Sequence, residues 1–325
     1  MAQPAQSGSA PRAIEALLKA DLAVADRAIA SNGPILVHLL CSDDNSIFSD
    51  EIVARVRGMF NDLSRQLVVA LAEAAGHADP QAWAQTIVDD LARQLMAEEA
   101  LLAHLHALAL EWQLTERLQG RLALDPVLPP LLQARIASSE PEVSATAMNL
   151  LAAQARFGQL QRRMQLPLAE LPSDLFDGAL AMLRAFAGDD PGSRDYAMSA
   201  EHSLRARRDG DRSRLALLQR VLAAIPAGEA DLALSVENAG VGMFVSAIAA
   251  GSGQPRDLAI MATTERQLAR LALTLAACGL RPEAIAAQFM ALHPDVALPE
   301  GLALLKADAA AAILADAAHG RHAAG

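Results

Sequence analysis

Cysteine, lysine and aromatic residues are scarce in this chain of 325 residues, and each scarcity excludes something. The two cysteines, Cys41 and Cys278, lie far apart and outside any CxxC pair. A disulfide framework, a thiolate zinc site and a cysteine nucleophile therefore have no sequence support, and reduced thiols in a cytoplasmic protein are expected. Aromatics make up 3% of a chain that is 53% apolar, so leucine and alanine must build the core. That favours close helix packing over sheets, which draw on β-branched and aromatic side chains. Lysine occurs only at Lys19 and Lys306, and genome composition explains the arginine bias as readily as function does. Positive charge is also short: Lys and Arg total 27 against 38 for Asp and Glu, a net charge of −11, which argues against a nucleic-acid partner. No GKS/GKT, GxSxG or HExxH motif occurs, so no cofactor, no metal and no enzymatic activity are expected.

Long apolar runs are missing too. "MAQPAQSGSAPR" lacks the core of a signal peptide, and "VGMFVSAIAAG" at 241–251 is too short for a bilayer, so membrane insertion is not expected.

What is present is helical periodicity from Pro11 onward. Residues 1–10 read as a disordered tail. In "RAIEALLKADLAVADRAIA", Ile14, Leu17, Leu18, Leu22, Ala25 and Ile29 recur three or four apart, and "SNGP" predicts a break after them. A second helix is predicted from about Glu51 to Ala75. Before it, Asp43 and Asn45 resemble the opening of a calcium loop, but the turn glycine and closing glutamate are absent, so Ser49 reads as an N-cap. Residues 79–120 contain no Gly or Pro between Pro80 and Gly120 and predict one long helix or two joined near Met96. Breaks at regular intervals after that leave helices of about 10–25 residues in hairpins. The expected fold is all-α, built of stacked helix pairs as an irregular α-solenoid or HEAT-like array. The composition break at 188–193 marks a provisional boundary between regions 11–190 and 191–325, unless the two form one array.

Within "AEEALLAHLHALALEWQLTERLQ", Leu101, Leu105, Leu108 and Trp112 make an apolar stripe. His104 and His106 are two apart, so they point about 200° from each other and cannot chelate one metal. His106 shares a polar side with Glu99, Gln113 and Arg117, which permits a phosphorelay role if it is exposed; a structural role is favoured. "SAEHSLRARRDGDRSRLALLQR" concentrates Arg205, Arg207, Arg208, Arg212, Arg214 and Arg220 in an acidic chain. Such an island either receives a carboxylate or phosphate from a partner or is a solvated face paired with neighbouring acids, as charge runs usually are. Arg156, Arg162 and Arg163 invite the same two readings. Gly240 and Gly242 lack a preceding strand and a third glycine, so they mark a helix start or a close helix contact.

"EEALLAHLHALALEWQLTERL", "QARFGQLQRRMQLPLAELPSDLF", "ENAGVGMFVSAIAAGSG" and "TERQLARLALTLAACGLRPEAIAAQFMALHPD" resemble a mainly alphaproteobacterial family, domain of unknown function 2336, over residues 90–295. The resemblance implies helical, HEAT-like pairs and carries over no catalytic residues. The expectation is therefore a non-enzymatic scaffold that binds a protein partner through Arg205, Arg207, Arg208, Arg212 and Arg214. The alternatives are a phosphorelay accessory using His106 and a small-ligand binder with an apolar pocket between helices; self-association is compatible with each.

Overall fold

The computed structural model describes residues 9–41, 51–188, 190–298 and 301–324. Most of the predicted tail, and the stretch holding Asp43, Asn45 and Ser49, lie outside them. Among the described residues sixteen α-helices follow in chain order: α1 (Ser9–Cys41), α2 (Glu51–Ala74), α3 (Pro80–Gln85), α4 (Val88–Met96), α5 (Glu99–Leu122), α6 (Pro130–Ile136), α7 (Pro141–Arg162) and α8 (Ser173–Ala187). Then come α9 (Pro191–Arg207), α10 (Arg214–Ala223), α11 (Ala230–Ala233), α12 (Val236–Ser252), α13 (Arg256–Ala262), α14 (Leu268–Ala277), α15 (Pro282–Leu292) and α16 (Ala307–Ala324). Among the described residues there is no strand, and the fold is all-α.

Two compact units form, each discontinuous in sequence. The first takes the segment ending at Asn32, Gln113–Ser144 and the chain from Val221 onward; the second takes Gly33–Trp112 and Ala145–Arg220. Residue 190, the provisional boundary, lies inside the second unit. Glycine and proline punctuation marks a linker only where the flanking segments pack separately, and here Asp190 and Pro191 merely start α9. Asp190 accepts from the Ser193 amide at 3.1 Å, with Pro191 in the first turn.

Two helix boundaries depart from expectation. The chain does not break at "SNGP": α1 runs through Pro34 to Cys41, and Leu36 and Leu40 beyond the proline are buried. Burial of that continued stripe outweighs the hydrogen bond the proline removes. Nor is 79–120 one or two helices. It breaks near Met96, as one reading expected, and again at Thr86–Ile87, where the Thr86 hydroxyl donates to the Trp83 carbonyl at 2.7 Å and competes with the helix ladder.

In the first unit α12 is the core helix. It packs on α6, α11, α13, α14 and α15, while α14 pairs with α16. Gly240 interrupts α12 at φ +68° and ψ 167°, a conformation essentially reserved for glycine, and a Cβ there would lie 3.0 Å from the Pro129 Cγ. The close contact expected of these glycines is therefore made at Gly240. The α1 stripe Ile14, Leu18, Leu22 and Ala25 is buried, whereas Leu17 is exposed. Fully buried Arg270 binds the Asp26 carboxylate and donates to Gln267 and Gln254, each at 3.2 Å, and Gln267 donates to the Ala25 carbonyl at 2.8 Å.

In the second unit α2 packs against α3, α4, α8 and α9. Val56, Phe60, Leu63, Leu67 and Leu71 recur three or four apart on its buried side. α9 meets this core with Ala197 and Ala200, whose small side chains permit a close approach. Pairing α2 with α9 joins helices distant in sequence, which is not the neighbour-on-neighbour order of a regular array.

Candidate functional site: an arginine-lined groove in the second unit

The site begins with Gly58. Its missing Cβ would lie 2.5 Å from the Met164 Cβ, so α2 approaches the end of α7 as only glycine allows. One turn further along α2, Asp62 and Gln66 turn toward the chain that follows α7 and capture its backbone. The Leu166 amide donates to Asp62 at 3.1 Å, the Leu168 amide to Gln66 at 2.9 Å, and the Gln66 amide nitrogen to the Leu166 carbonyl at 2.9 Å. The turn at 167–169 is thereby fixed as a wall. Between this wall, α2, Phe176 of α8 and the end of α9 lies a groove of about 300 Å³. Val69, Leu168, Phe176 and Leu204 give it an apolar floor, while Arg65, Arg207, Arg208 and Glu73 bring charge.

The five predicted arginines do not share one surface. Arg207 and Arg208 line the groove. Arg207 is 66% exposed and its only groove carboxylate, Glu73, is 3.4 Å away, a loose and solvent-screened pair. Arg208 donates to the Leu171 carbonyl at 2.9 Å and the Ser173 hydroxyl at 3.3 Å, with its guanidinium over the Phe176 ring at 4.7 Å. Arg205 is turned to its own acids, Asp177 at 2.6 Å and Glu201 at 2.9 Å; the hydrogen bond to Asp177, then that to Glu201, holds its guanidinium above the ordinary value. Arg212 stands in solvent with Asp209 at 3.8 Å.

Arg214 is a correction to the expected surface: it is buried. Its guanidinium binds Glu111 and Gln154 and lies 3.8 Å from the centre of the Phe157 ring, and the two ionic side chains are 4% and 0% exposed. Placed after the 3₁₀ turn 210–212, it points into the core whereas Arg212 points out. Sequence reading missed Arg65, Gln66 and Asp62 because they look like the solvated face of α2. Nothing local to them signals the turn 100 residues later that they hold.

His104 is buried and borders a small space of about 20 Å³ with Gln161, Glu170 and Arg214. His106 is half-buried, not the exposed imidazole a phosphorelay acceptor requires. Trp112 is core, with Phe157 edge-on at 6.1 Å and the guanidiniums of Arg162 and Arg55 over its ring at 5.5 and 5.8 Å. Arg156 and Arg163 are exposed. Burial pushes the Cys278 thiol up to about 12, which makes it a poor nucleophile. Among the described residues no three His, Cys, Asp or Glu side chains gather as a metal site, and no single helix is long and apolar enough to cross a membrane. No family model, curated protein or solved structure matches the chain.

Proposed function

We propose that this is a non-enzymatic helical interaction protein that binds a protein partner. The observation that carries the reading is the groove: an apolar floor with three arginines and one carboxylate at its edges, in a chain whose overall charge is −11. Apolar floors with arginine and aromatic anchors are the usual energetic centres of protein interfaces. A bacterial, cytoplasmic setting and kinship with domain of unknown function 2336, with its HEAT-like helix pairs, belong to the same reading and rest on the segments quoted above. The small-ligand alternative keeps one point in its favour, because about 300 Å³ is also the lower end of small-molecule pockets. The phosphorelay alternative rests on His106, which is half-buried.

The test is crosslinked affinity purification of the tagged full chain from its native host, with native mass spectrometry of the same sample. A stoichiometric protein partner is expected. Recovery of the chain alone carrying a small molecule would replace this reading with the ligand-binding one.

A further inference from the structure

We infer that the groove receives an acidic segment of the partner, seating an apolar side chain on the part-exposed Val69 and Leu204 while a neighbouring carboxylate displaces Glu73 from Arg207. The inference rests on the interaction reading above and adds the chemistry that the partner must present. Charge complementarity selects the sign. Arg65, Arg207 and Arg208 face one carboxylate, Glu73, across the groove. Asp62, the nearest other acid on α2, is consumed by Arg65, Gln66 and the Leu166 amide. The groove therefore carries an excess of cation within a strongly anionic molecule. A local field of that sign attracts acids and repels basic segments.

The three arginines are not equivalent. Arg208 is anchored by Leu171 and Ser173 and laid on Phe176, so it is a fixed part of the floor. Its contribution is a preorganised positive charge beside the apolar lining of Val69 and Leu204. Arg65 binds Asp62 and is 48% exposed, which leaves further guanidinium donors facing solvent. Arg207 is the exchangeable member. At 3.4 Å its contact with Glu73 is long for a charge-assisted hydrogen bond, and both side chains are exposed, so the pair gives way at small cost to a carboxylate that brings its own apolar anchor. Glu73 thus occupies the place of the incoming acid and weakens its binding. Removing that carboxylate should strengthen binding, which a purely structural ion pair would not do.

The experiment measures fluorescence anisotropy on the full-length protein with three probes: a labelled peptide alternating Leu and Asp, its counterpart with every Asp replaced by Asn, and sodium octanoate as competitor. The acidic peptide is expected to saturate and to bind at least about tenfold more tightly than the Asn peptide. Arg207→Ala should weaken it about tenfold, and Glu73→Gln should tighten it about two- to fivefold. Hydrogen exchange should slow at 65–73 and 204–208 in the complex. Circular dichroism melting curves for both exposed variants should overlay that of the native chain. Equal binding of the Asn peptide, or protection elsewhere, overturns the inference. Octanoate binding at the groove without peptide binding also overturns it, by assigning the groove to a small carboxylate. If affinity purification captures a stoichiometric partner that Arg207→Ala still holds, the groove inference fails and the interaction reading stands. If the native chain captures none, the interaction reading itself fails.

Discussion

Substituting Arg214 tests the polar centre of the second unit. Glu111 on α5 and Arg214 on α10 form an ion pair with side chains 0% and 4% exposed, so neither charge has water to fall back on. Removing the guanidinium with Arg214→Met leaves the Glu111 carboxylate buried without it, and breaking a buried pair in this way costs about 3–5 kcal/mol. The Gln154 oxygen also loses its donor, adding about 1–2 kcal/mol. Against a domain stability of about 5–15 kcal/mol, Arg214→Met should therefore remove roughly half of the second unit's stability. Pairing it with Glu111→Leu removes the buried carboxylate as well, and the double variant should recover most of the loss, because apolar replacements of buried pairs are often neutral or better. Urea unfolding followed by tryptophan fluorescence reads this unit selectively, since Trp83 and Trp112 both belong to it. If Arg214→Met lowers stability by less than about 1 kcal/mol, or the double variant is no better than the single, the pair is not held as described.

Burial first, and the Arg117 guanidinium second, push the His293 imidazole below its ordinary value, while its hydrogen bond to the Thr263 carbonyl and the Glu265 carboxylate oppose this and Arg121 adds to it. A histidine depressed in the folded state favours folding fully above its unfolded value of about 6.5, and the contribution is lost as pH falls below that. Melting temperatures should therefore drop between pH 7.5 and 5.5 by less in His293→Gln than in the native chain, and equal drops would refute the burial of a neutral imidazole. Gly240→Ala should cost about 1–3 kcal/mol from backbone conformation alone, with the Pro129 contact in addition, whereas Gly178→Ala on α8, which meets nothing within 4 Å, should be neutral or stabilising by up to about 1 kcal/mol. Thermal melts of the two variants check the contrast, and a neutral Gly240→Ala would remove the kink from the description.

Much of the fold was legible because helices write their period into sequence. The stripe Leu101, Leu105, Leu108 and Trp112 was readable from spacing and is buried as a stripe. The end of α2 before Gly76 follows from local punctuation. The break at Thr86–Ile87 was not legible, since it arises from a hydroxyl bonding backward and no Gly or Pro announces it. The groove was legible only in part. Arg207 and Arg208 stand out as charge in sequence, but what separates them from Arg205 and Arg214 is which acids the fold brings near, and Glu111 is 103 residues from Arg214. Tertiary pairing, unlike helical period, leaves no local trace.

The discontinuity of the two units has a consequence for synthesis on the ribosome. Asp26 and its partner Arg270 are 244 residues apart in the chain, which at about 5–20 residues per second separates their emergence by roughly 10–50 s. Throughout that interval Ile14, Leu18 and Leu22 exist without the later helices of their unit, so a nascent-chain chaperone has a long window in which to hold them. The second unit, whose last segment ends at Arg220, has all of its parts before the first does. A chain truncated between 221 and 270 should have its tryptophan-bearing unit folded while residues 9–32 are still protease-sensitive.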